Sequence, residues 1–305
     1  MLGLSREEKM AASISLFLCF IFSLANSAHA SARPSRVLCW GMNREGQSSV
    51  PQDLVDVTQI SLGVSHSCAL AQGKARCWGR NSEGQASVPE DLGEVVQVSV
   101  GGYHSCALTK TGVRCWGANQ YGQLEPPKDL GEVLQLSAGG GHTLALTKSG
   151  IRCWGLGGYG QCRAPLFSTG AIESISAGFY HSCAVVEGKG YCWGNDQHGQ
   201  SKVPENLGFV REISSGFGHS CARTSLGLRC WSLYPAYTQV PEAENLFLPR
   251  SGGSHSCAMS DIGVRCWGTN AYHQTDVPVE AIDVASIAVG GYHTCAIISA
   301  RGGWR

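Results

Sequence analysis

Histidine and cysteine recur together in this sequence at a spacing that suits three kinds of chemistry. Residues 101–123 read GGYHSCALTKTGVRCWGANQYGQ, so His104 stands two residues before Cys106, and Cys115 follows nine residues after Cys106. Such residues can bind zinc, form a Cys/His nucleophilic pair, or join in a disulfide bond. The choice depends on the compartment of the protein and on the elements that carry the three side chains.

The first thirty residues have the layout of a secretory signal peptide. Two basic residues precede an apolar run over residues 11–25, and the sequence Ala-His-Ala then provides a cleavage site near Ala30. A membrane anchor through residues 11–25 is the alternative, although that run is short for a span. Removal of residues 1–30 takes away Cys19 and leaves fourteen of the fifteen cysteines, an even number that indicates disulfides in an oxidising compartment. We therefore expect a secreted, extracellular protein whose mature chain has no membrane span.

The stretch quoted above is one copy of a repeat. The dipeptide Cys-Trp occurs seven times with its tryptophans 36–39 residues apart, and a histidine recurs in step with it. The tryptophans are Trp40, Trp78, Trp116, Trp154, Trp193, Trp231 and Trp267. Seven copies at this period indicate a solenoid or a propeller.

Each copy contains three strand patterns and no helical periodicity. In the third copy, residues 96–100 alternate between apolar and polar, residues 104–109 follow a glycine turn, and residues 113–116 follow a second tight turn. The first copy opens with only a third strand, and the last copy supplies only the first two. The termini can therefore share one blade and close a ring. The sequence predicts an all-β, seven-bladed β-propeller over residues 31–298 and an irregular tail over residues 299–305.

The strand pairing predicts disulfides. If Thr109 pairs with Gly112 across the turn, Cys106 lies directly opposite Cys115 and close enough for a bond. Zinc ligands usually come as C-x₂₋₄-C knuckles, and a catalytic thiolate needs one privileged site, whereas these cysteines recur along the chain. The predicted pairs are Cys68–Cys77, Cys106–Cys115, Cys183–Cys192, Cys221–Cys230, Cys257–Cys266 and, across the shared blade, Cys39–Cys295.

The fourth copy departs from this pattern. Leu144 stands where a cysteine is expected, and Cys162 is an added cysteine nine residues after Cys153. Either Cys153 and Cys162 pair with each other, or two thiols remain that could form an intermolecular disulfide.

The repeated histidines and tryptophans suit structural roles. Seven histidines in register could ring a channel and bind metal, but we expect each of them to hydrogen-bond backbone at the edge of its blade. Each tryptophan is expected to pack in the core or between blades. No metal site is predicted.

Residues that differ between copies on one exposed face mark the surface where a ligand would bind. Strand one ends and strand three exits on the same face of a propeller, and aromatic residues recur at both places. The candidate binding residues are Tyr103, Tyr121, Tyr159, Phe179, Tyr180, Phe217, Tyr272 and Tyr292. Exposed aromatic clusters anchor protein partners or stack on sugar rings. The alternative is that these rings pack between neighbouring loops.

Composition and motifs exclude several classes of function. Lys+Arg and Asp+Glu each total 23 of the 305 residues, so no global charge steers the protein toward nucleic acid. The sequence has no P-loop, H-E-x-x-H or G-x-S-x-G motif. We therefore expect a non-catalytic protein without a cofactor, whose partner is an extracellular protein or glycan.

The pattern G-x-x-H-[ST]-C-A-L…G-V-R-C-W-G-x-N-x-x-G-Q resembles the repeat of the regulator of chromosome condensation superfamily over residues 37–298. Its short period is similar to two branches, the bacterial β-lactamase-inhibitor propeller and the cysteine-paired extracellular domain of plant crinkly-type receptor kinases. The resemblance implies a recognition module that uses one propeller face. It also implies two alternatives, a secreted enzyme inhibitor and a guanine-nucleotide exchange or chromatin-type regulator. The predicted signal peptide and the paired cysteines argue against the nuclear alternative.

Overall fold

Three short strands form in every repeat of the part of the chain that the computed structural model describes, residues 35–167, 171–243 and 245–299. The predicted signal peptide, its alternative interpretation as an anchor over residues 11–25, and residues 300–305 of the predicted tail lie outside that part. Glycine allows the tight turn between the second and third strands in most repeats. Gly112, for example, has a φ of +131°, which side chains larger than hydrogen rarely permit.

The three strands of a repeat are antiparallel and lie in the order inner, middle, outer. The inner strands are β2 (Val57–Leu62), β5 (Val95–Val100), β8 (Val133–Ala138), β11 (Ile172–Ala177), β14 (Val210–Ser215), β17 (Phe247–Ser251) and β20 (Val284–Val289). The middle strands are β3 (His66–Ala71), β6 (His104–Thr109), β9 (His142–Thr147), β12 (His181–Val186), β15 (Ser220–Thr224), β18 (His255–Ser260) and β21 (His293–Ile298). The outer strands are β4 (Lys74–Gly79), β7 (Gly112–Gly117), β10 (Gly150–Gly155), β13 (Lys189–Gly194), β16 (Gly227–Trp231), β19 (Gly263–Gly268) and β1 (Arg36–Gly41).

The ring closes through a blade that both ends of the chain share. Strand β1 pairs with β21, so that Arg36 lies opposite Ile298 and Cys39 lies opposite Cys295. Each inner strand contacts the inner strand of the next repeat, and β20 contacts β2. The described residues thus form seven three-stranded blades around one axis, as the sequence predicts.

The core lies between neighbouring blades and is built around the middle strands and the tryptophans. All six residues of β9 and of β12 are buried, and Trp116 is 6% exposed. The Trp116 indole N–H donates to the carbonyl oxygen of Gln85 in the preceding repeat at 3.0 Å. A tryptophan that buries about 200 Å² contributes at most about 5 kcal/mol of hydrophobic free energy. Six further tryptophans occupy equivalent buried positions, and Trp116 packs with Leu70 and Ala75 of the preceding blade.

The predicted disulfides are all present. The register places Cys106 opposite Cys115 and Thr109 opposite Gly112. Five hairpin pairs and the long-range pair Cys39–Cys295 are joined as predicted, and Cys153 is joined to Cys162. Leu144 is fully buried opposite Cys153, which accounts for an apolar residue at that position.

Candidate binding face

Two sets of loops meet on one face of the propeller, which we call the rim face. Inner loops connect each inner strand to its middle strand, for example residues 101–103, and outer loops follow each outer strand, for example residues 118–125. The inner loops surround the axis. Seven glycines begin these loops: Gly63, Gly101, Gly139, Gly178, Gly216, Gly252 and Gly290. A Cβ on Gly101 would lie 2.4 Å from the carbonyl oxygen of Gly139, so only glycine allows the loops to approach this closely.

A buried glutamine holds the outer loop in place in six of the seven repeats. The Gln161 side chain accepts a hydrogen bond from the backbone N–H of Tyr159 at 3.0 Å, and Gln123 accepts one from the N–H of Tyr121 at 2.8 Å. Gln161 is fully buried, whereas the residue that it holds is exposed. Glutamines 47, 85, 200 and 274 make the same bond to residues 45, 83, 198 and 272. A constant residue therefore positions the variable residue that faces solvent. The Gly-Gln dipeptide is part of the repeat pattern, but no positioning role for the glutamine was predicted from it.

Four of the candidate aromatic residues form one cluster on the rim face. The ring centroids of Phe179 and Phe217 are 4.6 Å apart, those of Phe179 and Tyr180 are 4.8 Å apart, and those of Tyr159 and Tyr180 are 4.9 Å apart. Partial burial, and after it the neighbouring tyrosines, raise the pKa of Tyr180. Phe179 and Tyr180 lie on one inner loop, Phe217 lies on the next inner loop, and Tyr159 lies on the outer loop after β10. The cluster therefore joins three loops into one surface.

The other four candidates lie apart from this cluster. Tyr272 and Tyr292 form a pair with centroids 5.5 Å apart, and the Arg44 guanidinium lies 5.7 Å from the Tyr272 ring. Tyr103 has the Arg80 guanidinium 5.4 Å from its ring, and Tyr121 packs beside Gly141.

Exposure divides the eight residues into two groups. Tyr121, Tyr159, Phe217 and Tyr292 are 53%, 48%, 40% and 38% exposed, and the other four are half-buried. The rim face thus combines rings that face solvent with rings that are partly covered by their neighbours, and a ring such as Phe217 does both.

The sixth repeat adds aromatic residues that are not among the predicted binding residues. Its outer loop lacks the Gly-Gln pair and forms a short helix, α1 (Pro235–Thr238). Tyr234 lies 5.0 Å from the His198 ring and 5.5 Å from the Tyr237 ring. The carbonyl oxygen of Tyr237 accepts the Trp267 indole N–H at 3.2 Å, as a glutamine carbonyl does in the other repeats. In the sequence, this aromatic loop is marked by the loss of the repeat pattern after Trp231.

The seven repeated histidines lie in the interior and do not reach the rim face. Each is fully buried. The partner of each Nε2 is a side-chain hydroxyl of the next blade, for example Thr143 for His104 at 2.9 Å, rather than the backbone group that we expected. Burial lowers the pKa of His104 to about 4 and, with His104 as a smaller cause, that of His142 to about 3. These histidines are therefore neutral structural groups.

The ion pairs within the described ranges do not form a second candidate binding site. The face opposite the rim carries exposed pairs between outer-strand arginines and loop aspartates, such as Arg114 with Asp91 at 3.3 Å. Exposed pairs of this kind contribute at most about 1 kcal/mol. Residues 35–167, 171–243 and 245–299 contain no group of three or more potential metal ligands and no helix long and apolar enough to cross a membrane.

Four segments of the chain match the family model of the Regulator of chromosome condensation (RCC1) repeat: residues 57–85, 95–123, 133–161 and 172–200. Each segment begins with an inner strand and ends at the buried glutamine. No curated protein sequence matches the chain significantly.

Solved propellers share the fold at low sequence identity. Prp20p from Saccharomyces cerevisiae, which was described with its binding to Gsp1p and histones, is 18% identical with a TM-score of 0.74, over 88% of this chain and 92% of that one. The CRINKLY ectodomain of the Arabidopsis thaliana receptor kinase ACR4 is 22% identical with a TM-score of 0.66, over 81% and 94%. The ectodomain of the Physcomitrella patens receptor kinase CR4 is 21% identical with a TM-score of 0.65, over 80% and 70%.

Proposed function

We propose that this chain, a propeller of RCC1-type repeats, is a non-catalytic recognition module that binds an extracellular protein or glycan on its rim face. The observation that carries the proposal is the cluster of Tyr159, Phe179, Tyr180 and Phe217. Aromatic residues dominate binding energy where they are clustered and pre-positioned, because little conformational entropy is lost on association. The Gln161 bond to the Tyr159 backbone provides such positioning.

The disulfides support a location outside the cell. All fourteen cysteines in the described ranges are paired, and such bonds persist in oxidising compartments. The apolar segment over residues 11–25 is consistent with export and with cleavage near Ala30. Two of the structurally similar propellers are receptor-kinase ectodomains, which fits the same location.

The state of the cysteines and histidines favours binding over catalysis. A nucleophilic cysteine must be a free thiolate, and a general base must reach its substrate. Within the described ranges the cysteines are bonded, and the seven histidines of the repeats are buried. A secreted enzyme inhibitor would be one form of such a binding module. The nuclear alternative is disfavoured because seven disulfides are unusual in a reducing compartment.

The test is affinity capture from extracellular fluid with the purified propeller as bait. A rim variant carries alanine at Tyr103, Phe179, Tyr180 and Phe217. A matched control carries alanine at four exposed apolar residues away from the rim face: Val96, Leu134, Phe209 and Leu226. We expect partners retained by the native chain and by the control to be lost from the rim variant. Equal retention by all three proteins would refute the rim face as the binding surface.

A further inference from the structure

A cavity of about 180 Å³ lies on the propeller axis and opens between the inner loops of the rim face. Its floor is formed where the inner strands end, and Leu62, Val100, Ala138, Ala177 and Val289 contribute apolar side chains to it. The glycines that begin the inner loops form its wall. An apolar cavity of about 150 Å³ is large enough to hold benzene, so this one has room for a single aromatic or branched aliphatic side chain.

Apart from the side chains of Tyr103 and Tyr292 at its mouth, the lining offers few free polar groups. None of the described residues that line the cavity is charged. The backbone of the wall is engaged from blade to blade, since the N–H of Gly102 donates to the carbonyl oxygen of Gly139, and the N–H of Gly253 donates to that of Gly290. Two serines complete the floor, and Ser215 donates to the Ser176 carbonyl oxygen at 3.3 Å. The other, Ser251, accepts from the Ser256 hydroxyl at 3.3 Å.

Aromatic rings surround the mouth of the cavity. Tyr103, Phe179, Phe217 and Tyr292 contribute to its lining, and two of them belong to the cluster that carries the proposed function. Gly140 allows this arrangement, because a Cβ at that position would lie 2.7 Å from the Phe179 ring. The cavity and the aromatic cluster are therefore one continuous surface.

We propose that this axial cavity is a socket for one uncharged apolar side chain, presented by an exposed loop of a protein partner. The proposal rests on the proposed function and narrows it. A charged side chain would lose its hydration without gaining an ion pair, and sugar hydroxyls would find few unoccupied hydrogen-bond partners. An apolar side chain has no charge to desolvate and no hydrogen bonds to replace. It is buried at the centre of the contact surface, where binding energy concentrates.

Capped amino acids test the chemistry of the socket. The methyl NMR signals of Leu62, Val100 and Val289 report from its floor. We expect N-acetyl-phenylalaninamide or N-acetyl-leucinamide, at millimolar concentrations, to shift these signals, while N-acetyl-lysinamide and chitotriose leave them in place. Shifts caused equally by the lysine derivative would overturn the proposal. Shifts caused by chitotriose alone would overturn it in favour of a glycan site.

A filled socket provides the second test. Ala177→Leu extends a side chain from the floor into the cavity, and Ala285→Leu makes the same change at an exposed position of β20 away from the rim face. We expect the first variant to bind the apolar probe and any captured protein partner about thirtyfold more weakly, as for loss of one hot-spot side chain, and the second to bind normally. Ser251→Leu fills the socket from another blade if Ala177→Leu does not fold.

The two proposals fail in different ways. A partner that is lost from the rim variant but retained by Ala177→Leu and Ser251→Leu would refute the socket and leave the rim face as the binding surface. A partner retained by the rim variant as well would refute both.

Discussion

His293 donates a hydrogen bond from Nε2 to the Oγ of Ser67, 2.9 Å away and 226 residues earlier in the chain. The Ser67 hydroxyl donates in turn to the carbonyl oxygen of Gln47 at 2.9 Å, which leaves the proton on Nε2 of the histidine. This bond completes a ring in which each repeat histidine contacts the hydroxyl of the next blade. Nδ1 of each of these histidines has no hydrogen-bond partner among the described residues. Protonation there would bury a charge without an acceptor.

Acid should therefore destabilise the propeller. Burial is the main cause that lowers the pKa of five ring histidines (His66, His142, His181, His255 and His293) to about 3, and it lowers that of His104 and His219 to about 4. In the unfolded chain each would titrate near pH 6.5, so the unfolded state binds more protons between about pH 6.5 and 4. Each histidine then removes up to about 1.4 kcal/mol of unfolding free energy per unit fall in pH. Melting temperatures from pH 7.5 to 4.5, without reductant, measure the loss.

Proton uptake gives the stricter check on this prediction. Calorimetry at pH 5 in buffers of different ionisation enthalpy should show that several protons bind on unfolding. The variant His142→Gln should take up about one proton fewer, with His198→Gln as the control outside the ring. Uptake near zero in the native chain would contradict a neutral histidine ring.

Removal of the closing disulfide should cost more stability than removal of a hairpin disulfide. Cys39 and Cys295 are 256 residues apart, whereas Cys106 and Cys115 are nine apart. The chain-entropy model assigns about 5 kcal/mol to the long loop and about 3 kcal/mol to the short one. Serine pairs at the two sites can be compared by denaturant unfolding. Equal losses of unfolding free energy would contradict the entropic account of ring closure.

The buried glutamine should affect binding without touching the ligand. Gln161→Ala removes the acceptor of the Tyr159 backbone N–H, and a hydrogen bond of this kind contributes about 1 kcal/mol. We expect the Tyr159 amide to exchange with solvent several-fold faster and binding on the rim face to weaken. Hydrogen exchange followed by NMR measures the first effect. Gln52→Ala, at an exposed position beside the Asp53–Arg76 ion pair on the opposite face, should change neither quantity.

The fourth repeat should accept the disulfide of the other repeats. Leu144 lies opposite Cys153 in the register that Cys106 and Cys115 share in the third repeat. In the double variant Leu144→Cys, Cys162→Ser we expect Cys153 to bond to the new thiol at position 144. Peptide mapping without reduction identifies the linkage. Two free thiols in that variant would show that the fourth hairpin differs from the others in solution.

Much of the fold could be predicted because its determinants are local. The nine-residue spacing between Cys106 and Cys115 and the position of Gly112 specify one hairpin register, since strand residues alternate and the turn is short. The same reasoning placed Cys39 opposite Cys295, because a repeat split between the termini leaves one way to complete a blade. The seven-bladed ring and six of its disulfides thus followed from period, alternation and turn chemistry, whereas the pairing of Cys153 with Cys162 stayed open until the structure showed it.

Contacts between blades were decided by the tertiary structure alone. The hydroxyl partner of His104 lies 39 residues away on Thr143, and the aromatic cluster combines Tyr159 with Phe217 through rings on intervening loops. Both depend on how far each blade is rotated and displaced from the next. No spacing within a repeat specifies that distance, because it results from side-chain packing across the whole ring. The sequence therefore determined each blade and the closure of the ring, while the assembled ring determined the neutral histidines, the axial cavity and the shape of the rim face.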